Sequence, residues 1–330
     1  MDKRKSRVEN MERLKILITG GTGFIGSNLA RFFYLKGNDV AITLRNESNT
    51  WRISDILKNV TQLKADLTDT QKVLNIFDYF KPDIVIHAAG WGTQLFEVDE
   101  RRIFNANLLS TINVVEAFLK SKSELLINSG SATEYGIKTN PMSESDILEP
   151  IGSYAISKAA ATLYSRSRSV ENNRKIATFR IFIGFGYYEE PHHLIPYLLH
   201  CTLKGITATL NNSNNVRDFI FIDDICSAYD ELIKKSNDIG LGEIFNLGSG
   251  KEYTVEQVLN TVERISDKKL NVKWQYRNDR LYDKANHWVA NTSKTEEILK
   301  WKPKYTLEEG LRTTYDWISE NVSKYNLKNG

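Results

Sequence analysis

Three glycines at fixed spacing limit what the first third of this chain can become. Gly20, Gly23 and Gly26 punctuate the segment Thr19-Gly-Gly-Thr-Gly-Phe-Ile-Gly26. They follow a short apolar run, Lys15-Ile-Leu-Ile-Thr19, and open a helical stretch from Phe24 to Lys36 that Gly37 closes. Between a strand and a helix, the first glycine permits the tight turn. The second lets a pyrophosphate approach the backbone, and the third lets helix and strand pack closely. The helix start, with Phe24 and Ile25, offers free N–H groups and partial positive charge to an anion. A glycine-rich structural turn is the alternative, and the strand–turn–helix context argues against it.

The alternation continues. Asp39 to Leu44, Val60 to Lys64, Ile84 to His87, Glu124 to Asn128 and Ile176 to Ile181 read as strands. Thr70 to Phe80 and Ser153 to Val170 read as helices, and Leu108, Ile112, Val115 and Leu119 recur at helical spacing. Repeated strand–helix units predict an α/β fold, a doubly wound parallel (Rossmann) sheet that binds ligands beyond the carboxyl ends of its strands. After Ile183 the rhythm breaks, yet Phe219 to Ile222 and Ile244 to Leu247 still look like sheet strands. A smaller carboxyl-terminal substrate domain is therefore expected to interleave with the first. Residues 13–183 with 216–248 form the dinucleotide domain, 184–215 with 249–330 the substrate domain, and 1–12 a disordered charged tail.

Composition narrows the partners. With 44 basic and 41 acidic residues the net charge is +3, which gives no case for nucleic acid or an anionic membrane. No run reaches the roughly 18 apolar residues of a membrane span, and the charged start has no signal-peptide core. The only cysteines are Cys201 and Cys226, which fits a reducing cytoplasm. His192, His193 and His200 are not at ligand spacing, so no metal is expected.

The end of the second strand bears on cofactor choice. NAD binding wants a carboxylate there; this chain offers Thr43-Leu-Arg45, with Ser48 and Arg52 able to help. Arg45 can pair a 2′-phosphate bidentately, so NADP(H) is favoured and NAD left open. Asp66 and Leu67, after the third strand, suit the adenine edge. Tyr154-x-x-x-Lys158 places both side chains on one helix face. An ammonium there favours phenolate, and the tyrosine can then move a proton to or from a substrate oxygen. Ser131, just past the fifth strand in Asn128-Ser-Gly-Ser-Ala-Thr-Glu-Tyr-Gly136, adds a hydroxyl at the carboxyl edge of the sheet.

These segments, in this order, resemble an extended short-chain dehydrogenase/reductase of the nucleotide-sugar epimerase/dehydratase/reductase group. The resemblance covers nearly the whole chain from Lys15. It implies a catalytic set of Ser131, Tyr154 and Lys158. His87-Ala-Ala-Gly90 resembles the loop lining the nicotinamide side, which adds Ala88 and Ala89 to the cofactor site. Asn107 resembles the helix asparagine that supports the active site. Arg217 resembles the arginine that grips the substrate diphosphate, and Arg280 a second one, with Arg277 as its competitor. Thr133 and His193 are candidate substrate contacts, with a loop position near the domain seam as the alternative for His193. Trp91, Tyr187 and Tyr188 either stack on ligand or pack between domains.

The departures matter as much. Dehydratases of this group carry Asp-Glu where this chain has Ala132 and Thr133, and Glu134 comes one place late and should point elsewhere. Dehydration is therefore disfavoured. The resemblance implies NADPH-dependent reduction of a keto group, at C4, of a nucleoside-diphosphate 6-deoxy- or dideoxyhexose. A 4-epimerase on retained NAD is the alternative, and a non-catalytic dinucleotide sensor the rival from another class. Relatives pair two helices across a two-fold axis, and Leu109, Val114 and Phe118 lie off the first apolar stripe, so a homodimer is expected.

Overall fold

Short runs of aliphatic and β-branched residues build the centre of the molecule, because such side chains suit a strand covered on both faces. The computed structural model describes residues 13–93, 97, 99–211, 213–275 and 287–325. The expected tail, residues 1–12, lies outside them, as do Arg277 and Arg280.

In chain order the elements are β1 (Lys15–Thr19), α1 (Phe24–Leu35), β2 (Asp39–Leu44), β3 (Thr61–Lys64), α2 (Thr70–Phe80), β4 (Ile84–His87), α3 (Glu100–Phe104), α4 (Ser110–Lys120), β5 (Leu125–Ser131) and α5 (Gly152–Asn172). There follow β6 (Lys175–Ile181), β7 (Ile183–Phe185), α6 (Leu194–Lys204), β8 (Ala208–Asn211), β9 (Val216–Arg217), β10 (Phe219–Phe221), α7 (Ile222–Lys234) and β11 (Ile244–Leu247). The last are β12 (Tyr253–Thr254), α8 (Val255–Ser266), β13 (Val272–Gln275), α9 (Ser293–Leu299) and α10 (Leu307–Glu320).

Seven strands form one parallel sheet in the order β11-β6-β5-β4-β1-β2-β3. Alternate residues of β1 show why it is covered twice. Ile16 and Ile18 pack with Leu29 and Phe33 of α1, while Leu17 packs with Val73 and Phe77 of α2 and with Val114 and Phe118 of α4. Each such fully buried aliphatic contributes about 1.5–3 kcal/mol over an exposed one. The doubly wound sheet expected from the sequence is present.

Three local expectations change. β5 runs three residues further than Asn128, because Ser129, Gly130 and Ser131 stay in register with Phe179, Arg180 and Ile181. Ser131 is thus the last residue of the strand. Phe219–Phe221 does not join the large sheet; it pairs in parallel with β7. Val114 and Phe118 are fully buried rather than spare. The packed face of the α4 region is Asn107, Thr111, Val114, Val115 and Phe118. Its polar members are buried because they are hydrogen-bonded, so counting apolar residues alone picks the wrong stripe.

Candidate active site

The turn after β1 is shaped by close approach. Gly20 adopts φ +68°, and a Cβ there would stand 2.7 Å from the Ala89 backbone and 2.8 Å from the Ala88 carbonyl. A Cβ on Gly26 would stand 2.2 Å from the Gly20 carbonyl, so both positions need glycine. Gly23 caps α1 without any side-chain hydrogen bond, which leaves the first-turn N–H groups to an anion. This uncapped helix start, crossed by the β4 exit, fits a dinucleotide pyrophosphate.

At the end of β2, Leu44 is buried and Arg45 half exposed, its Nε 3.1 Å from Glu47 Oε1. Ser48 Oγ accepts from the Arg45 N–H at 2.8 Å. Arg52, expected to help Arg45, is committed elsewhere: it donates to the Tyr188 carbonyl at 2.7 Å and to Glu190 at 2.8 Å. Asp66 Oδ1 accepts from the Thr68 N–H and hydroxyl, which hold its carboxyl below the usual range. The Leu67 carbonyl accepts from Asn113 at 2.8 Å.

The surroundings of the expected Tyr154–Lys158 pair are built from the β4 exit, the β5 end and α5. Lys158 is buried, and its ammonium donates to the Ser129 carbonyl. Burial pushes it down to about 8, against the pull of Glu134. A Cβ on Gly90 would lie 4.0 Å from Lys158 Nζ and 3.2 Å from Asn107 Oδ1. One on Gly92 would lie 3.4 Å from the Tyr154 ring. The segment Gly90–Gly92 therefore passes over both members of the Tyr–Lys pair. A cleft of about 330 Å³ opens beside Tyr154, lined also by Gly92, Glu100, Ile103 and Ile151. A larger hollow of about 410 Å³, on Lys304, Tyr305, Glu309, Arg312 and Thr313, shares no residue with this site.

Asn107 fixes that segment. It sits in a π turn, Asn105–Leu109, between α3 and α4, a distortion often found at functional sites. Its Oδ1 accepts from the Trp91 N–H at 2.8 Å, and its Nδ2 donates to the Trp91 carbonyl and to Ser157 Oγ. Ser110 and Thr111 hydroxyls donate back to the Ala106 and Asn107 carbonyls, relieving the interrupted ladder.

Ser131 ends β5 and caps the turn Ala132–Tyr135; its Oγ accepts from the Thr133 N–H at 3.2 Å and lies 2.9 Å from Thr133 Oγ1. Glu134 is fully buried and turned away into an ion pair with Arg180, so it offers no acid or base at the cleft.

The other expected residues lie on the carboxyl-terminal elements. His193 caps α6, its Nδ1 3.1 Å from the buried Glu189. Arg217 donates to the Val216 carbonyl at 2.7 Å and lies over the Trp288 ring at 5.6 Å. Tyr187 and Tyr188 pack against Trp317, the latter at 4.4 Å between centroids. Trp91 is covered by the Arg102 guanidinium at 4.2 Å. Sequence reasoning missed the Glu134–Arg180 pair and the burial of Glu189. The available signal was Arg180 itself, an arginine inside an apolar strand that demands a carboxylate partner. Among the described residues no group of three or more acidic, histidine or cysteine side chains is placed to hold a metal, and no helix is long and apolar enough to cross a membrane.

The fold, with its glycine turn and its Tyr-x-x-x-Lys helix, defines a class, the extended short-chain dehydrogenases/reductases. The chain belongs to the NAD-dependent epimerase/dehydratase family, whose sequence pattern matches residues 16–248. It is 30% identical to a UDP-glucose 4-epimerase of Cyamopsis tetragonoloba, over 96% of this chain and 98% of that one. A UDP-glucose 4-epimerase of Bacillus subtilis is 28% identical over 94% and 99%. Among solved structures, the Thermus thermophilus UDP-glucose 4-epimerase in complex with NAD superposes with a TM-score of 0.82 at 26% identity, covering 92% of this chain and 98% of that one. These relatives favour the epimerase alternative over the NADPH-dependent reductase that Arg45 suggests.

Proposed function

We propose that this chain changes the oxidation level of C4 in the hexose of a nucleoside-diphosphate sugar. The observation that carries the reading is the passage of the Gly90–Gly92 segment over Tyr154 and Lys158, with Lys158 tied to the Ser129 carbonyl two residues before Ser131 ends β5. Tyr154 passes the proton to or from the sugar oxygen, Ser131 hydrogen-bonds that oxygen, and Lys158 supplies the positive charge that favours the phenolate. The turn Gly20–Gly26, Asp66, Leu67, Ala88 and Ala89 would line the dinucleotide and Lys158 would hold its nicotinamide ribose, whereas Asn107, expected to line it as well, is buried and acts through the Trp91 backbone it holds. When bound, that group supplies or accepts the hydride. Residues 13–183 with 216–248 hold it, and 184–215 with 249–330 hold the sugar nucleotide, with Thr133, His193 and Arg217 toward the substrate.

Two reactions share this proton step. The UDP-glucose 4-epimerase relatives support 4-epimerisation, and the NAD in the Thermus thermophilus structure supports that cofactor; we take epimerisation on a retained NAD as the first reading. One observation favours the second, NADPH-dependent reduction of a 4-keto sugar: β2 ends in Leu44-Arg45 with no carboxylate, and Arg45 is exposed enough to meet a 2′-phosphate. Glu47, on the following loop, is the nearby carboxylate that would serve NAD instead. Dehydration stays disfavoured by Ala132 and Thr133. A panel of nucleoside-diphosphate hexoses and their 4-keto forms separates the readings. An epimerase interconverts two alcohols with no net change in absorbance at the NAD(P)H band; a reductase consumes one NADPH per ketosugar. Inactivity on every member of both sets would reject the C4 reading.

A further inference from the structure

A buried ion pair lies directly against the end of β5. Glu134 has no exposed surface and Arg180 only 2%. Glu134 Oε2 accepts from Arg180 Nε at 2.8 Å. Its Oε1 accepts from the Ser131 N–H at 2.8 Å and from the Thr162 hydroxyl at 3.0 Å. A Cβ on Gly130 would stand 2.6 Å from that same Oε1, so the carboxylate is pressed against the Ser129–Gly130–Ser131 backbone. Lys158 holds this stretch too, through the Ser129 carbonyl.

Three donors satisfy the carboxylate, whereas Arg180 Nη1 finds no hydrogen-bond partner among the described residues and the guanidinium lies 4.6 Å over the Tyr135 ring. Burying such a pair costs desolvation energy, and an apolar pair of similar volume would often be as stable. Its location therefore calls for another explanation.

We propose that Glu134, held by Arg180, is a positioning residue that fixes Ser131 through its backbone N–H and supplies the counter-charge for the Lys158 ammonium. The proposal rests on reading Ser131, Tyr154 and Lys158 as the reacting set. The groups facing Lys158 are Glu134 after β5, His87 on β4 and Tyr154 one turn earlier on α5; Arg180 and Tyr135 stand behind Glu134. His87 is held neutral down to about 3 by burial and by the Lys158 charge. Burial lowers Lys158, and Glu134 is the charge that opposes it. Burial also raises the Glu134 carboxyl, and the permanently charged Arg180 opposes that.

Two conservative variants separate the two roles. Glu134→Gln keeps the shape and the acceptor for Ser131 but removes the charge. Glu134→Asp keeps the charge and withdraws it from Ser131 by one methylene. In E134Q the alkaline limbs of kcat and of NAD(P)H binding should move down by about one pH unit, with the KM for sugar nucleotide little changed. In E134D both limbs should stay and kcat should fall about tenfold. Unmoved limbs in a folded E134Q protein would overturn the proposal. If E134Q does not fold, E134Q/R180M leaves no charge buried alone and should show the same displacement. Failure of both to fold would make the pair purely structural and overturn it as well. The binding limb, followed by NAD(P)H fluorescence, needs no sugar. An inactive wild-type protein therefore counts against the C4 reading, and an unmoved binding limb counts against this one.

Discussion

His87 Nδ1 stands 2.7 Å from Thr19 Oγ1, which ties the carboxyl end of β4 to that of β1 where the glycine turn begins. Its Nε2 lies 3.0 Å from Thr111 Oγ1. The Thr111 hydroxyl already donates to the Asn107 carbonyl, so it accepts from His87 Nε2–H, and Nδ1 accepts from Thr19. Both nitrogens are used by a neutral ring, with no carboxylate to support a charged one. The glycine turn and the π turn that holds Trp91 are thereby connected through one uncharged imidazole.

That ring predicts acid sensitivity. Burial first, and the Lys158 charge second, hold His87 at about 3. A base depressed in the native state binds fewer protons there than in the unfolded chain. Its stabilisation is fully present above the unfolded value near 6.5 and is lost as pH falls towards 3. Wild-type stability should drop by roughly 1.4 kcal/mol per pH unit below about 6 from this group alone. His87→Gln should be less stable at pH 7 yet show a shallower fall. Urea unfolding at pH 7, 6 and 5 measures both slopes; equal slopes would rule out this role for His87.

Arg45 sets the next expectation. Its guanidinium is half exposed and shared with the exposed Glu47, so solvent screens it. Arg45→Asp should weaken NADP(H) by about tenfold while leaving NAD(H) little changed. Glu47→Gln, which frees the guanidinium, should shift preference the opposite way. Fluorescence titration with both reduced cofactors checks this, and an R45D protein that loses affinity for both equally would contradict it.

The legible parts of the molecule were those where one residue type answers one physical demand. Gly20 and Gly26 are dictated by backbone contacts under 3 Å, and Tyr154 and Lys158 by the helical repeat. The strands of the large sheet stood out because parallel strands covered on both faces read as continuous apolar runs. What escaped depends on polar residues whose burial is decided by distant partners. Thr111 looks solvent-facing until His87 is placed over it, and the resemblance singles out Asn107 without showing that Trp91 is what it holds. Arg52 looks available to a phosphate until Tyr188 and Glu190, 136 and 138 residues away, take its donors.

The outer face of α5 bears on assembly. Ile156, Leu163 and Val170, seven residues apart, are 43%, 52% and 56% exposed, and Leu109 is 38% exposed. This stripe replaces Val114 and Phe118 as the apolar surface left over after folding. Seven-residue spacing keeps one helix face towards a partner, and a two-fold axis would set the same stripe against itself. The chain should be a homodimer at micromolar concentration by light scattering. Leu163→Arg should give monomers with an unchanged circular-dichroism spectrum. Dimers that persist in L163R, or a monomeric wild type, would refute this surface as the interface.

Tyr154 carries the last prediction. Its ring lies under Gly92 at the mouth of the cleft, while the buried Lys158 is fixed to Ser129 from within. Removing the phenolic hydroxyl by Tyr154→Phe leaves ring packing and Lys158 undisturbed, so the fold and dinucleotide affinity should stay near normal. What disappears, on the proposed function, is the proton donor and acceptor at the sugar oxygen. General acid–base catalysis is worth about 10²–10⁴-fold, and kcat should fall within that range in both directions of the reaction. The loss should appear in kcat rather than KM, because the hydroxyl acts on charge that develops only as the oxygen changes state. Lys158→Met should differ: it removes the ammonium that the same step relies on and weakens cofactor binding too. A Y154F protein retaining more than a tenth of wild-type turnover would show that another group moves the proton. Thr133, whose hydroxyl lies 2.9 Å from Ser131 Oγ, would then be the first residue to replace.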